Sequence, residues 1–487
     1  MMNSQLIHPA LRARCHTWVL MMGFCCLLAS CSIPHLATIP ARQTLPNQYT
    51  NKAQMTGNSA ASSAKLIFRD PYLTALIDTA LVHNQELNIA LQEIEIARNE
   101  ARARKGEYLP FVGIGASAGL EKPGRYTRNG ASEAANEIKP GTETPDPLPN
   151  FLIGPYASWE IDIWHKLRNA QKAAVSRYLA SVEGRNFMVT NLIAEIAGAY
   201  YELLALDNEL AVLQQNIQIQ TNALATVKAE KEASRVTELA VRRFEAQVYN
   251  TQAKQYAIQQ AILETVNHIN YLVGRYPQTI NRNAASFATL VPDSLVTGVP
   301  AQLLELRPDV RKAELMLTAN ALDVQAARAN FYPSLRITAM AGLEAFNPAF
   351  LLSTPQSLAY GLLGELTGPL FNRNAIKAQY ANANARQIQA LYDYQKTLLN
   401  AYIEVANQIS NLRNLGQSYQ NKQQEVDALT RSVNISKDLF SSARADYMEV
   451  LLTQRDALES RFELLETKQK QLHASVLLYR ALGGGWK

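Results

Sequence analysis

Two stretches of this chain are copies of one design, and that duplication restricts the fold more than any other feature. Arg307 to Glu344 opens with Pro308, at a first helical position where the missing N–H costs nothing, followed by first-turn Asp309. It reads as a helix to about Asn330, breaks at Tyr332-Pro333, and becomes an alternating strand. Asn84 to Glu121 does the same. The two align without a gap at a numbering offset of 223, Pro110 against Pro333, Gly119 against Gly342 and Glu121 against Glu344. A second correspondence runs at an offset of 207, with Trp164 against Phe371 and Ala194 against Ala401, so the joining segment is shorter in the second copy. Two copies of one strand-and-helix unit are the frame of the protein.

Long helices follow from the heptad spacing. Val189, Leu192, Ile196, Ala199, Leu203, Leu206, Leu210, Leu213, Ile217, Gln220, Leu224 and Val227 alternate steps of three and four, the seam of supercoiling helices. With a lead-in from Leu167 this helix exceeds about 55 residues, roughly 85–90 Å at 1.5 Å per residue. A return helix, Val236 to Val273, carries Val241, Phe244, Val248, Thr251, Gln255, Ile258 and Ile262 at the same spacing. The second copy repeats the pair, through Leu391, Tyr394, Leu398, Ala401, Val405 and Gln408, then Leu458, Phe462, Leu465, Leu472 and Val476.

The strands come in pairs. Phe111 to Leu120 sets Val112, Ile114, Ala116, Ala118 and Leu120 against Gly113, Gly115, Ser117 and Gly119, which reads as a strand with one face of small residues. The glycines are mis-spaced for a dinucleotide loop and no helix follows. A polar insert, Glu121 to Asn150, leads to Phe151 to Ile163, where Trp159 and Trp164 are candidates for an interfacial girdle. Leu335 to Leu343 and Leu358 to Phe371 are the second pair.

All four cysteines (Cys15, Cys25, Cys26, Cys31) fall at or before Cys31, which excludes disulfides, zinc ribbons and cysteine nucleophiles from the body of the chain. The seven histidines are scattered without metal-ligand spacing, and a net charge of +5 with no basic run does not suggest nucleic acid. No catalytic constellation is present, so the expectation is a protein that is not an enzyme and uses no cofactor. Residues 1–30 read as a secretory signal, with Arg12 and Arg14 ahead of a short apolar core. Leu28-Ala29-Ser30-Cys31 looks like a lipobox, in which Cys31 would be acylated and anchored to outer-membrane lipid. The remaining division is a tether over 31–66, a first repeat over 67–275 with its hairpin at 109–164, a linker over 276–305, and a second repeat over 306–487 with its hairpin at 333–371.

Four membrane strands per chain cannot close a barrel, and an open edge in lipid strands its backbone groups. The smallest closed transmembrane barrel has eight strands, so copies must combine. The expected fold class is mainly α with transmembrane β: a shared barrel, twelve-stranded in a trimer, continued by a cylinder of coiled helices.

Several pieces together resemble the TolC-like outer-membrane factors, specifically the lipoprotein branch that serves multidrug efflux pumps. They are the lipobox at Cys31, Val299 to Leu304 leading into Arg307-Pro308-Asp309-Val310, Ala329 to Leu335 including Pro333, Gly368-Pro369-Leu370-Phe371, Glu404-Val405, Tyr447 to Leu451, and the closing Tyr479 to Trp486. The resemblance implies a homotrimer whose α-helical tunnel crosses the periplasm, a passive exit duct driven by an inner-membrane pump through a periplasmic adaptor. It also implies a tip, closed at rest, at the turns near Ser234 to Leu239 and Ala443 to Val450. Tip or gate candidates are therefore Thr237, Glu238, Asp438, Leu439, Asp446, Tyr447 and Glu449. The family commonly has Gly where this chain has Ser234 and Ala443, and Asp where it has Ala240. A ring of Asp438, Asp446 and Glu449 would favour cations at a narrow mouth; solvated helix-end charges are the equal alternative. A duct for type I protein secretion on the same fold, and a non-conducting lipid-anchored coiled-coil scaffold, are the competing functions.

Overall fold

The computed structural model describes residues 33–41, 46, 68, 70–290, 300–442 and 444–486. The expected signal peptide, Cys31, most of the tether, Val299 and Ala443 lie outside the described residues.

The chain begins its ordered course with α1 (Pro71–His83) and α2 (Gln85–Glu107), separated at Asn84 as the sequence suggests. Strand β1 (Phe111–Glu121) follows. The polar insert carries a short helix, α3 (Arg128–Ala135), and a small hairpin of β2 (Glu137–Lys139) and β3 (Thr142–Glu143). Then come β4 (Leu148–Ile161), α4 (Lys166–Glu232) and α5 (Glu238–Val273). The second repeat supplies α6 (Pro308–Ala329), β5 (Ser334–Ala345), β6 (Leu358–Thr367), α7 (Asn374–Ser441) and α8 (Tyr447–Ala481). At 67 and 68 residues, α4 and α7 are longer than the heptad pattern alone required, each about 100 Å of helix.

The chain divides into two compact units. One comprises Met1–Pro40, Ala97–Tyr178 and Met316–Ala390 and holds the sheet; the other comprises Ala41–Ile96, Leu179–Leu315 and Leu391–Lys487 and holds the helical hairpins. In the first unit the four long strands form one antiparallel sheet in the order β1-β4-β5-β6. The strand-to-helix turns after β4 and β6 each need a left-handed residue, His165 (φ +57°) and Asn372 (φ +51°), which stand at the same offset of 207. Asp162 starts α4 by accepting the N–H groups of Leu167 and Arg168 at 3.0 and 2.9 Å.

In the second unit the seams fall where the heptads place them. Val189, Leu192, Ile196 and Leu203 of α4 are buried with Ile269, Leu272 and Val273 of α5, each full burial stabilising by about 1.5–3 kcal/mol. Tyr394, Leu398, Ala401 and Val405 of α7 are buried with Leu478 and Ala481 of α8. The offset expected for these helices needs correction. It is 207 at the strand ends, but the hairpins end at left-handed Gly274 (φ +81°) and Gly483 (φ +86°), an offset of 209. Two residues are added at the start of α7, so Ala194 and Ala401 are not counterparts; Ile196 and Val405, both fully buried, are.

Candidate functional site

The sheet's chemistry follows from its register. Directly opposed residues of antiparallel strands point to the same side, so the pairings sort every side chain onto one of two faces. One face carries Val112, Ile114, Ala116, Ala118 and Leu120 of β1 beside Phe151, Ile153, Pro155, Ala157, Trp159 and Ile161 of β4. It continues through Leu335, Ile337, Ala339, Ala341 and Leu343 of β5 to Leu358, Tyr360, Leu362, Gly364 and Leu366 of β6. No charged or amide side chain occurs on it, and Ile114, Tyr360 and Leu362 are almost fully exposed. An apolar face of this extent has no place in water.

The other face holds all the remaining strand glycines together with Ser117, Glu121, Asn150, Tyr156, Ser158, Glu160, Arg336, Thr338, Glu344, Glu365 and Thr367, interspersed with Phe111, Leu148, Leu152, Met340 and Leu363. Arg336 lies 3.8 Å from Glu160, and Asn150 donates to Glu344 at 2.8 Å. The small residues of β1 have a definite use: a Cβ at Gly113 would meet the Tyr156 ring at 2.9 Å. Such apolar-out, polar-in alternation is that of a strand wall between lipid and an aqueous lumen. The outer edges of β1 and β6 pair with no strand among the described residues.

The helix end of the sheet carries both tryptophans. The Trp159 indole donates to the Tyr108 carbonyl at 3.0 Å and that of Trp164 to the Pro333 carbonyl at 2.8 Å, with Trp164 stacked on Tyr332 at 4.6 Å. Pro333 thus holds the Trp164 indole, Pro369 lines the same junction, and Phe371 is exposed.

The hairpin turns lie where the sequence puts them. Thr237 caps α5, its hydroxyl accepting from the Ala240 N–H at 3.4 Å. Glu238 bridges Lys231 at 2.8 Å and Arg242 at 2.9 Å, and the Lys231 hydrogen bond holds its carboxyl below the usual range. Ser234 is left-handed, with φ +54°, at the position where glycine is the ordinary choice. In the second turn Asp446 caps α8 without a side-chain hydrogen bond, Glu449 sits in the first helical turn, and both are exposed with Asp438 and Leu439. Tyr447 packs on the Val227, Ala240, Val241 and Phe244 cluster, and Arg243 contacts the Met448 sulfur at 3.2 Å, so the two turns touch.

Arg307 has a structural place that spacing did not reveal. Its guanidinium is 6% exposed, forks onto Asp309 at 2.9 and 2.6 Å, and reaches Glu404 at 2.7 Å and the Ala481 carbonyl at 3.1 Å. Burial pulls its pKa down, but Asp309 and Glu404 outweigh burial and leave it raised. In the first repeat Asn84 stands at the offset of 223 from Arg307 and donates to the Leu272 carbonyl at 2.9 Å. Leu272 in turn matches Ala481 at the offset of 209. Gly274 and Gly483 complete both clamps. A Cβ there would lie 2.3 Å from the His83 carbonyl oxygen or 2.5 Å from that of Leu306. The sequence reading missed Asn84, Gly274 and Gly483 as a set; applying an offset of 209 to the glycines was the available signal.

Among the described residues no group of His, Asp and Glu could hold a metal ion, and no helix is long and apolar enough to cross a membrane.

The family model described as outer membrane efflux protein matches residues 76–275 and 299–484. The chain is 27% identical over 473 residues to the solvent efflux pump outer membrane protein SrpC of Pseudomonas putida, covering 96% of this chain and 97% of that one. A solved membrane protein from Pseudomonas aeruginosa superposes with a TM-score of 0.83 at 23% identity, covering 93% of this chain and 100% of its own. The open state of the Neisseria gonorrhoeae MtrE outer membrane channel does so at 0.80 and 22% identity, covering 94% and 98%.

Proposed function

This chain belongs to the outer membrane efflux protein family, and from that premise we propose that three copies pool their sheets into one twelve-stranded pore that lets small toxic compounds leave the cell. It is an outer-membrane efflux channel with the TolC-like fold. The observation that carries the pore reading is the four-stranded sheet with one apolar face, one polar face and two open edges. Four strands are half the minimum for closure, so the lumen exists only between copies.

Conduction through such a wall is passive. The energy comes from an inner-membrane pump, and a periplasmic adaptor joins it to the turns at Thr237-Glu238 and Asp446 to Glu449. Acylated Cys31 ties each copy to outer-membrane lipid. Substrates are small compounds that the pump selects upstream, with organic solvents one class that the name of the solvent efflux relative suggests. No side chain is assigned a catalytic role.

The gate is the tip. Opening needs two packings of the turns separated by a few kcal/mol and biased by adaptor contacts. Asp438, Asp446 and Glu449, three times over, form an acidic ring that favours cations. Purified protein in a planar bilayer should give discrete conductance steps, with a native mass of three chains. Asp446→Asn should shift the reversal potential toward anions. Protein that passes no current and has a native mass of one chain would overturn the channel reading, and an unchanged current–voltage relation in the variant would remove the ring.

A further inference from the structure

We propose that the polar face of the sheet holds a binding subsite for small aromatic cations, floored by Tyr156 and Phe111 and edged by Glu344 and Glu365. The proposal rests on the reading that this face lines a pore, and it names a chemical class that the wall itself recognises. Residues opposed across the strands form rows, and successive rows on one face lie roughly 7 Å apart. The row nearest the helices is Glu160, Arg336 and Glu365. Next comes Phe111, Ser158, Thr338 and Leu363, then Gly113, Tyr156, Met340 and Gly361. The row beyond has almost no side chains, since Gly115 opposes Gly154 and Gly342 opposes Ala359. Longer side chains resume with Leu152, which opposes Ser117 on one side and Glu344 on the other.

Glycine lets the aromatic floor form. A Cβ on Gly113 would meet Tyr156 Cζ at 2.9 Å and its hydroxyl at 3.0 Å, and one on Gly115 would meet Cδ1 at 3.6 Å. The Tyr156 ring therefore lies across β1 instead of standing out from the wall. Its centroid is 6.0 Å from that of Phe111 at a tilt of 52°, and the two side chains are 43% and 60% exposed. A Cβ on Gly361 would meet nothing within 4 Å, so the space beside Met340 is open. An apolar recess with a few converging charges is the ordinary form of a small-molecule site. The charges decide its sign. Glu160 is neutralised by Lys166 at 3.2 Å and Arg336 at 3.8 Å. Glu344 accepts from the neutral Asn150 amide, and neither it nor Glu365 has an ion pair among the described residues. Each lies two rows from Tyr156, on opposite sides. Ring faces attract a cation within about 6 Å, and the two carboxylates favour the same charge. Met340 adds a polarizable wall to the aromatic floor.

Ethidium, a planar aromatic cation, tests the subsite on the full chain in detergent, with empty micelles as background. Its fluorescence should rise on binding. Tetraphenylphosphonium should displace it at a concentration about tenfold below that needed of tetraethylammonium, which has the charge without the rings. Tyr156→Ala combined with Phe111→Ala should weaken ethidium about tenfold, and Tyr156→Phe should retain it. Glu344→Gln with Glu365→Gln should weaken it several-fold and flatten its salt dependence. Gly113→Val reaches the same end by another route, since the added side chain lifts the ring off β1 without removing it. Where an alanine variant fails to assemble, the competition on the unaltered protein still decides. Absence of ethidium binding, equal displacement by the two competitors, or unchanged affinity in the aromatic variants would overturn the subsite; with a native mass of three chains, that result leaves the pore reading standing. A native mass of one chain, with no current in a bilayer, would overturn both.

Discussion

Arg307→Met should be among the most destabilising single changes in the helical unit, because the guanidinium holds three groups at once. It is 6% exposed, Asp309 is 17% exposed and Glu404 is 43% exposed. Removing one partner of a buried pair leaves the other charge unpaired and costs about 3–5 kcal/mol. Most of that falls on Asp309, which loses both hydrogen bonds away from water; the Ala481 carbonyl loses its donor as well. Asp309→Asn should cost less, about 1.5–3 kcal/mol, the range for hydrogen bonds to a charged group. Glu404→Gln should cost about 0–1 kcal/mol, since water already reaches that carboxylate. Arg307→Lys keeps the charge but cannot span the fork, so it should fall close to Met. The assay is the denaturant midpoint of the detergent-solubilised protein by far-ultraviolet circular dichroism, compared at unchanged slope. If Glu404→Gln costs as much as Arg307→Met, or Arg307→Met costs under about 1 kcal/mol, a buried three-way clamp is the wrong account.

Three further outcomes follow from single side chains. Burial and the neighbouring Glu466 push the Glu209 carboxyl from 4.5 up to about 7; its stabilising contribution is present below the unfolded value and is lost as pH rises through about 7. Glu209→Gln should therefore flatten the fall in unfolding midpoint between pH 5 and pH 8, and parallel pH profiles for the two proteins would contradict this. Gln220 and Gln454 are buried with amide atoms that meet no partner among the described residues. Leu at both positions should stabilise by about 1–3 kcal/mol each, whereas the half-buried Gln255 and Gln408 should respond little; a lower thermal midpoint in the Gln220/Gln454 pair refutes the assignment. Ser234→Gly should relieve roughly 1 kcal/mol of left-handed strain and Ser234→Val should add to it, a ranking readable from tip proteolysis rates.

Legibility in the sequence tracked periodicity. The strands were readable because Val112, Ile114 and Leu120 alternate with glycine, and the register confirms that alternation as two chemically distinct faces. The helical seams were readable because burial of Ile196, Leu203 and Val405 recurs on a heptad. The clamps carry no period. Arg282 reaches Asp207 at 2.5 and 2.8 Å, and Asn84 reaches Leu272 from the far side of the first repeat; nothing local marks either partner. The polar insert carries no period either, since the only side-chain cap of α3 is Thr127, whose hydroxyl accepts the Gly130 N–H.

Duplication explains why the hidden contacts could nevertheless be found afterwards. A repeated unit repeats backbone positions, not side chains. Asn84 and Arg307 are chemically unlike, yet each donates to the carbonyl two residues before a left-handed glycine, Leu272 O before Gly274 and Ala481 O before Gly483. The constraint lies in the orphan carbonyls at a helix C-terminus, which some donor must satisfy. A neutral amide suffices in the first repeat. In the second, Glu404 of α7 and Asp309 of α6 lie within reach of the same point, and only a cation that also donates can serve all three. The pairing of Arg307 with Asp309 two residues on is thus set by a hairpin end that the sequence places at the opposite limit of the repeat.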